Sequence, residues 1–212
     1  MSLSLPLYQT LFLTAHDEHG APLIHLPSLG LGLAGAAVLD LMLDKRLALQ
    51  NTQAWALVAE PFGDLVTDTL VRTLGRDGAP YPLAFWLKAG AAGMYDQVAH
   101  VLIGEGRLTV GSRRRFGLRR QVLVPTDPVT RARIQTNLLH VFHGRLSGDP
   151  AWAALCGLVG ALRLERTMDV ETNTHDTLTR LRWIANTQYP DCAVVLAVME
   201  DLLGDTAVAA YR

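Results

Sequence analysis

The sequence predicts a mainly α, single helical domain with a protruding basic β-hairpin and a short N-terminal β element, on three observations. Half of the 212 residues are hydrophobic and 18% are charged, which supplies one sizeable core across residues 1–212 and speaks against disorder. Helix punctuation recurs: Asp127-Pro128 and Asp149-Pro150 each pair a residue that accepts from free amide hydrogens with one that fits the first helical turn. Finally, Arg107, Arg113, Arg114, Arg115, Arg119 and Arg120 fall within fourteen residues that hold no acidic residue, in a chain of formal net charge -1.

Taken in order, Leu11-Phe12-Leu13-Thr14-Ala15, the turn Asp17-Glu18-His19-Gly20 and Pro22-Leu23-Ile24 read as a short strand, a turn and a return segment. The uncharged run from Ala21 to Leu39 has the length of a membrane span. Pro22, His25, Pro27 and Ser28 break its first half, and Asp40, Asp44, Lys45 and Arg46 follow. It therefore reads as a central core helix, capped by Ser28 and running to about Asp44, apolar nearly all round. Gly30, Gly32 and Gly35 crowd its start, where small residues let other helices approach closely. A helix from about Pro61 stops at Gly75, and another from Ala92 to Glu105 places Met94, Val98, Leu102 and Ile103 on one face.

The hairpin follows Gly106, with a tip around Gly111-Ser112-Arg113-Arg114-Arg115 and a return through Phe116, Leu118 and Gln121-Val122-Leu123-Val124. The two Asp-Pro pairs open helices to about His143 and Leu164. Further helices run from Asp176 to Thr187 and from Pro190 to Leu203, with Gly204 as terminator.

No catalytic constellation emerges, and no cofactor is expected. His16-Asp17-Glu18-His19 carries donor types suited to zinc, but adjacent residues on a strand and tight turn do not converge on one ion, so the reading is a solvated turn. His140 and His143 lie three apart on a helix without a third ligand and read as a structural pair. There is no GxSxG elbow, Walker A or GxGxxG spacing. Cys156 and Cys192 sit in apolar runs without CxxC or CxxH neighbours and read as reduced core residues. Met1 to Ala15 contain no Lys or Arg, so the basic region of a secretory signal is missing and a cytoplasmic protein is expected. Two lysines against abundant arginine, alanine and glycine point to a GC-rich, bacterial coding sequence.

The order of motifs resembles the Golgi phosphoprotein 3 family. The matching pieces are Leu11-Phe12-Leu13 before an acidic turn, Gly32-Leu33-Ala34-Gly35-Ala36 through Leu39-Asp40-Leu41 to Arg46-Leu47, and Trp86 before the next helix. Val98-Ala99 with Leu102-Ile103, Gly106-Arg107-Leu108 and the hairpin leading into Pro125-Thr126-Asp127-Pro128 complete them. The resemblance implies a mostly helical single domain that is an adaptor and not an enzyme. It also implies binding of phosphatidylinositol 4-phosphate through a shallow basic pocket at a membrane's cytosolic face, with a hairpin that assists and mediates self-association. Eukaryotic members also bind cytosolic tails of glycosyltransferases.

At the headgroup-pocket positions this sequence departs from the family. It has His25 for a tryptophan and Ala34 for an arginine. The two arginines that complete the pocket fall at Ala92 and Tyr95 when the helix before Gly106 is aligned without gaps. Losing guanidinium forks removes the bidentate bonds that recognise a phosphate.

The hairpin's physics stands without that pocket. Each Arg close to an anionic bilayer contributes about 1 kcal/mol, so Arg113, Arg114, Arg115, Arg119 and Arg120 form a candidate lipid- or anion-binding surface. Phe116 and Leu118 are candidates for interfacial insertion or a homo-oligomer contact. The structural alternative has Phe116 and Leu118 packing inward or on a second subunit while the arginines guard an edge. The rival functional class is a winged-helix-like nucleic-acid-binding protein with the hairpin as its wing, although the preceding helix offers Tyr95, Asp96, Gln97 and His100 but no Lys or Arg. The expectation is a peripheral membrane adaptor for anionic lipid on the cytoplasmic face, its client protein unspecified.

Overall fold

The computed structural model describes residues 3–58, 60–75, 78–115, 118–146, 149–168, 170 and 173–209, with backbone alone at 113–115, 118–120 and 206–209. Helix α2 (Leu26–Leu43) is the axis of the fold. Helices α1 (Leu7–Thr14), α3 (Leu65–Leu74), α4 (Leu83–Ala91), α5 (Met94–Gly104), α7 (Pro150–Ala161) and α9 (Pro190–Ala209) all pack on it. Its mean hydropathy of 1.7 and its 18 residues are enough to cross a membrane by length and composition, yet 67% of it is buried inside the fold. That is the core helix expected from the sequence.

The glycines of α2 make this packing possible. A Cβ on Gly35 would lie 2.9 Å from Met199 Sδ of α9, and one on Gly32 would lie 2.5 Å from Leu162 Cδ1 just after α7. One on Gly30 would lie 3.1 Å from the Ala91 carbonyl oxygen at the end of α4. The helix begins earlier than expected, with His25 at its N-cap and Pro27 in its first turn, so Ser28 is not the cap.

The mainly α fold class holds, but the expected N-terminal strand does not. Leu11–Thr14 belong to α1, whose residues are all buried. A short continuous apolar run does not distinguish a buried strand from a buried helix by periodicity. What sets the helix is tertiary: Asp40 of α2 accepts from the first amides of α1, with Leu7 N to Oδ1 at 2.9 Å and Tyr8 N to Oδ2 at 3.2 Å. Of the expected strand and return, an isolated bridge between His16 and Pro22 remains.

Sequence reading also misses a three-stranded antiparallel sheet, β1 (Leu47–Gln50), β2 (Gln53–Ala56) and β3 (Tyr81–Pro82), in that order. Its first turn holds Asn51 and Thr52 at φ +48° and +65°, a two-residue loop of the kind that fits strand twist. Trp86 of α4 donates from Nε1 to the Ala54 carbonyl at 3.1 Å and locks sheet to bundle.

The second sheet is the hairpin, β4 (Leu108–Arg115) and β5 (Leu118–Pro125). Gly111 to Arg115 lie within β4, so the expected tip is strand, and the ladder runs outward to Arg115 opposite Leu118. Helices α6 (Pro128–Phe142) and α7 start at the two Asp-Pro pairs, where Asp127 and Asp149 accept from Val129 N and Ala151 N. Helix α8 (Thr174–Gln188) is capped by Asn173, whose side chain accepts from Asp176 N, and α9 runs through Gly204 to Ala209, so that glycine does not terminate it. Cys156 and Cys192 are buried free thiols, and burial pushes both up to about 12.

Candidate membrane-facing site

The hairpin's base is rigidly built. Leu108 is buried, Arg107 N donates to the Leu102 carbonyl at the end of α5 (2.8 Å), and Thr126 N donates to the Arg107 carbonyl (2.9 Å). The Arg107 side chain is committed here: its Nε donates to Glu105 Oε2 at 2.7 Å, while Gln9 Nε2 donates to the other carboxylate oxygen at 3.0 Å. Five of the six clustered arginines therefore lie farther out along the ribbon.

Their backbone register is definite. Arg113 is opposite Arg120, and Arg114 is opposite Arg119. Like charges directly across a ladder repel, and these two pairs follow each other without an intervening acid. Strand alternation assigns positions 114 and 119 to the ribbon face that carries Val110 and Leu123, and positions 113 and 120 to the opposite face. Phe116, and the side chains of Arg113, Arg114, Arg115, Leu118, Arg119 and Arg120, lie outside the described residues.

A groove of about 590 Å³ runs between the turn after α1, α5 and the inner part of the hairpin. Gly20, Pro22, Leu26, Tyr95, Asp96, Ala99, His100, Ile103, Val110 and Leu123 are among its walls, and no described wall residue is Lys or Arg. Leu26, Ile103 and Val110 are 44%, 38% and 56% exposed. The sequence pattern places Ile103 on one helix face with Met94, Val98 and Leu102. Met94, Val98 and Leu102 do form that buried face, and the i, i+4, i+8 stripe leaves Ile103 beside it, turned to the groove.

Beneath the groove His16 is buried, in contrast to the solvated turn expected. Its Nδ1 lies 2.7 Å from the Phe12 carbonyl and its Nε2 3.1 Å from Tyr95 Oη, with the ring stacked on Phe12 at 4.3 Å. Burial lowers the imidazole pKa and raises that of Tyr95. The remainder of the turn is solvated: Asp17 Oδ1 accepts from His19 N and Ala21 N, and Glu18 and His19 are exposed. The i, i+4 pairing of Phe12 with His16 signals this contact only once the segment is recognised as helical. His140 and His143 fall at the end of α6, half-buried and exposed. Among the described residues no three His, Cys, Asp or Glu gather to hold a metal ion.

A family model for Golgi phosphoprotein 3 (GPP34) matches residues 7–202. The chain belongs to the Golgi phosphoprotein 3 family. No curated protein matches it. Within this Golgi phosphoprotein 3 fold, the four headgroup-pocket positions do not form a cationic cluster. His25 stands at the N-cap position of α2 without a side-chain capping bond and is exposed, and Ala92 is exposed at the end of α4. Ala34 is fully buried, close enough that a Cβ on Gly90 would lie 3.4 Å from its own. Tyr95 is spent on His16. A guanidinium at position 34 would displace helix packing, so the substitution at position 34 is coupled to the close approach of α2 and α4.

Proposed function

We propose that this protein is a non-enzymatic, peripheral adaptor that associates with anionic lipid on the cytoplasmic face of a membrane through its basic hairpin. The reading rests on the register that sets Arg113 against Arg120 and Arg114 against Arg119, a repulsive arrangement that an anionic surface relieves. Five arginines near such a surface supply several kcal/mol at about 1 kcal/mol each. Their attraction is to charge density. With His25, Ala34, Ala92 and Tyr95 at the pocket positions, phosphatidylinositol 4-phosphate is bound no better than another lipid of equal charge. Phe116 and Leu118 serve as insertion or subunit contacts, giving a homo-oligomer through the hairpin.

Vesicle co-sedimentation with neutral, phosphatidylglycerol-containing and phosphatidylinositol 4-phosphate-containing liposomes tests this, comparing the native chain with Arg113→Ser/Arg114→Ser/Arg115→Ser. The expected result is binding to both anionic vesicles that the triple substitution abolishes. Failure to bind any vesicle, or binding of duplex DNA in its place, overturns the membrane reading.

A further inference from the structure

We propose that the cavity between the start of α1, the loop into α3 and the end of α5 is a binding site for a small primary amine, taken as an ammonium group on a short apolar stem. The cavity measures about 700 Å³, a size that holds small ligands, and shares no wall residue with the hairpin groove. Its central observation is Gln9, which is 2% exposed yet stands in the cavity wall. The bond from Gln9 Nε2 to Glu105 Oε1 at 3.0 Å fixes the orientation of the amide. Gln9 Oε1 is then left without a hydrogen-bond partner among the described residues. A buried acceptor in that state costs free energy until a donor reaches it.

The neighbouring groups also call for a donor. Tyr8 gives its one proton to Asp64 Oδ2 at 2.8 Å. Burial and the Asp64 charge raise the phenol pKa and keep that proton in place, so Tyr8 Oη has only lone pairs to offer. An anion finds no welcome at the two adjacent helix starts, where free amides would otherwise attract one. Asp64 Oδ1 already accepts from Val66 N and Thr67 N at the start of α3, and Asp40 accepts from Leu7 N and Tyr8 N at the start of α1. In the walls, two carboxylates, Asp64 and Glu105, face one guanidinium, Arg107, whose Nε is held by Glu105 Oε2 at 2.7 Å. An ammonium group answers this balance, since it brings one positive charge and three donors with no acceptor. A metal ion does not, because no three ligating side chains gather among the described residues. Leu5, Leu65 and Val101 line the same cavity and give the stem apolar contact.

Calorimetric titration of the full chain with n-hexylamine, n-hexanol and hexanoate at neutral pH tests the site. The expected result is saturable binding of the amine alone. Glu105→Gln, at an exposed side chain, weakens that binding by at least about tenfold, as loss of a charge-assisted hydrogen bond does. Glu200→Gln removes the same charge from α9, which contributes no wall residue, and leaves the affinity unchanged. Gln9→Met keeps the side-chain length, removes the unpaired oxygen and weakens binding as well. Methyl NMR signals of Leu65 and Val101 in the native chain shift as the amine saturates, which locates it whether or not the Gln9 variant folds. Equal losses in Glu105→Gln and Glu200→Gln overturn the site, as do hexanol bound as tightly as the amine, a preference for hexanoate, or no saturable binding of the amine.

Discussion

His16 and Tyr95 share a hydrogen bond of 3.1 Å between Nε2 and Oη, which ties the end of α1 to the first turn of α5 beneath the groove. The phenol occupies a position where the resemblance places an arginine, so its role in this chain is to satisfy a buried imidazole. Tyr95→Phe removes the partner and keeps the ring that lies 5.1 Å from Phe12. The expected cost is about 1–2 kcal/mol, the penalty of an unsatisfied buried polar atom, read as a lower urea midpoint with an unchanged slope.

Two buried groups give stability opposite dependences on pH. Burial lowers His16 from 6.5, so its contribution is present above pH 6.5 and is lost as pH falls toward its folded value. Burial, opposed by the Leu7 and Tyr8 amides and assisted by Asp44 and Asp64, pushes Asp40 from 3.8 up to about 7. The contribution of Asp40 is therefore complete below 3.8 and lost as pH rises through about 7. Relative to the native chain, His16→Gln gains stability as pH is lowered from 7 to 5, and Asp40→Asn loses it over the same range. Urea unfolding across that interval checks both signs, and parallel profiles for the three proteins would contradict the assignment.

Gly20 is the residue that lets the hairpin seat on the body. Its φ is +77°, and a Cβ there would overlap the Leu123 carbonyl of β5. Gly20→Ala combines an unfavourable left-handed backbone with a backbone collision. A loss of more than about 1 kcal/mol is expected, together with faster proteolytic cleavage in the hairpin than in α2. Uniform protection of both segments would place the strain elsewhere.

How much of this was legible in the sequence depends on where each residue finds its partners. Asp127 and Asp149 accept from amides two residues away, so local pattern sufficed to start α6 and α7. Helix α1 is fixed by Asp40, thirty-three residues distant from Leu7, and no local periodicity records that. The β1–β2 turn at Asn51-Thr52 lacks the glycine that usually announces such a loop, which hid the sheet. The arginine cluster was visible as composition, but the pairing of Arg114 with Arg119 and their shared face with Val110 follow from a register that begins at the Leu108–Pro125 pair. The groove was invisible because its walls come from three separated segments.

Arg46 and Asp68 test whether the loop before α3 is held by charge. Arg46 Nη2 donates to Asp68 Oδ1 at 2.7 Å, with the Arg46 side chain 2% exposed, and Phe62 lies over the guanidinium at 4.5 Å. Asp68 also accepts from the Phe62 and Gly63 amides. Asp68→Ala leaves a buried cation unpaired and frees that loop, for an expected loss of about 3 kcal/mol. Adding Arg46→Met removes the stranded charge and should recover part of it, a coupling that a double-mutant cycle in urea measures. Additive losses would mean that the pair is energetically silent and that the loop is held by the amide bonds alone.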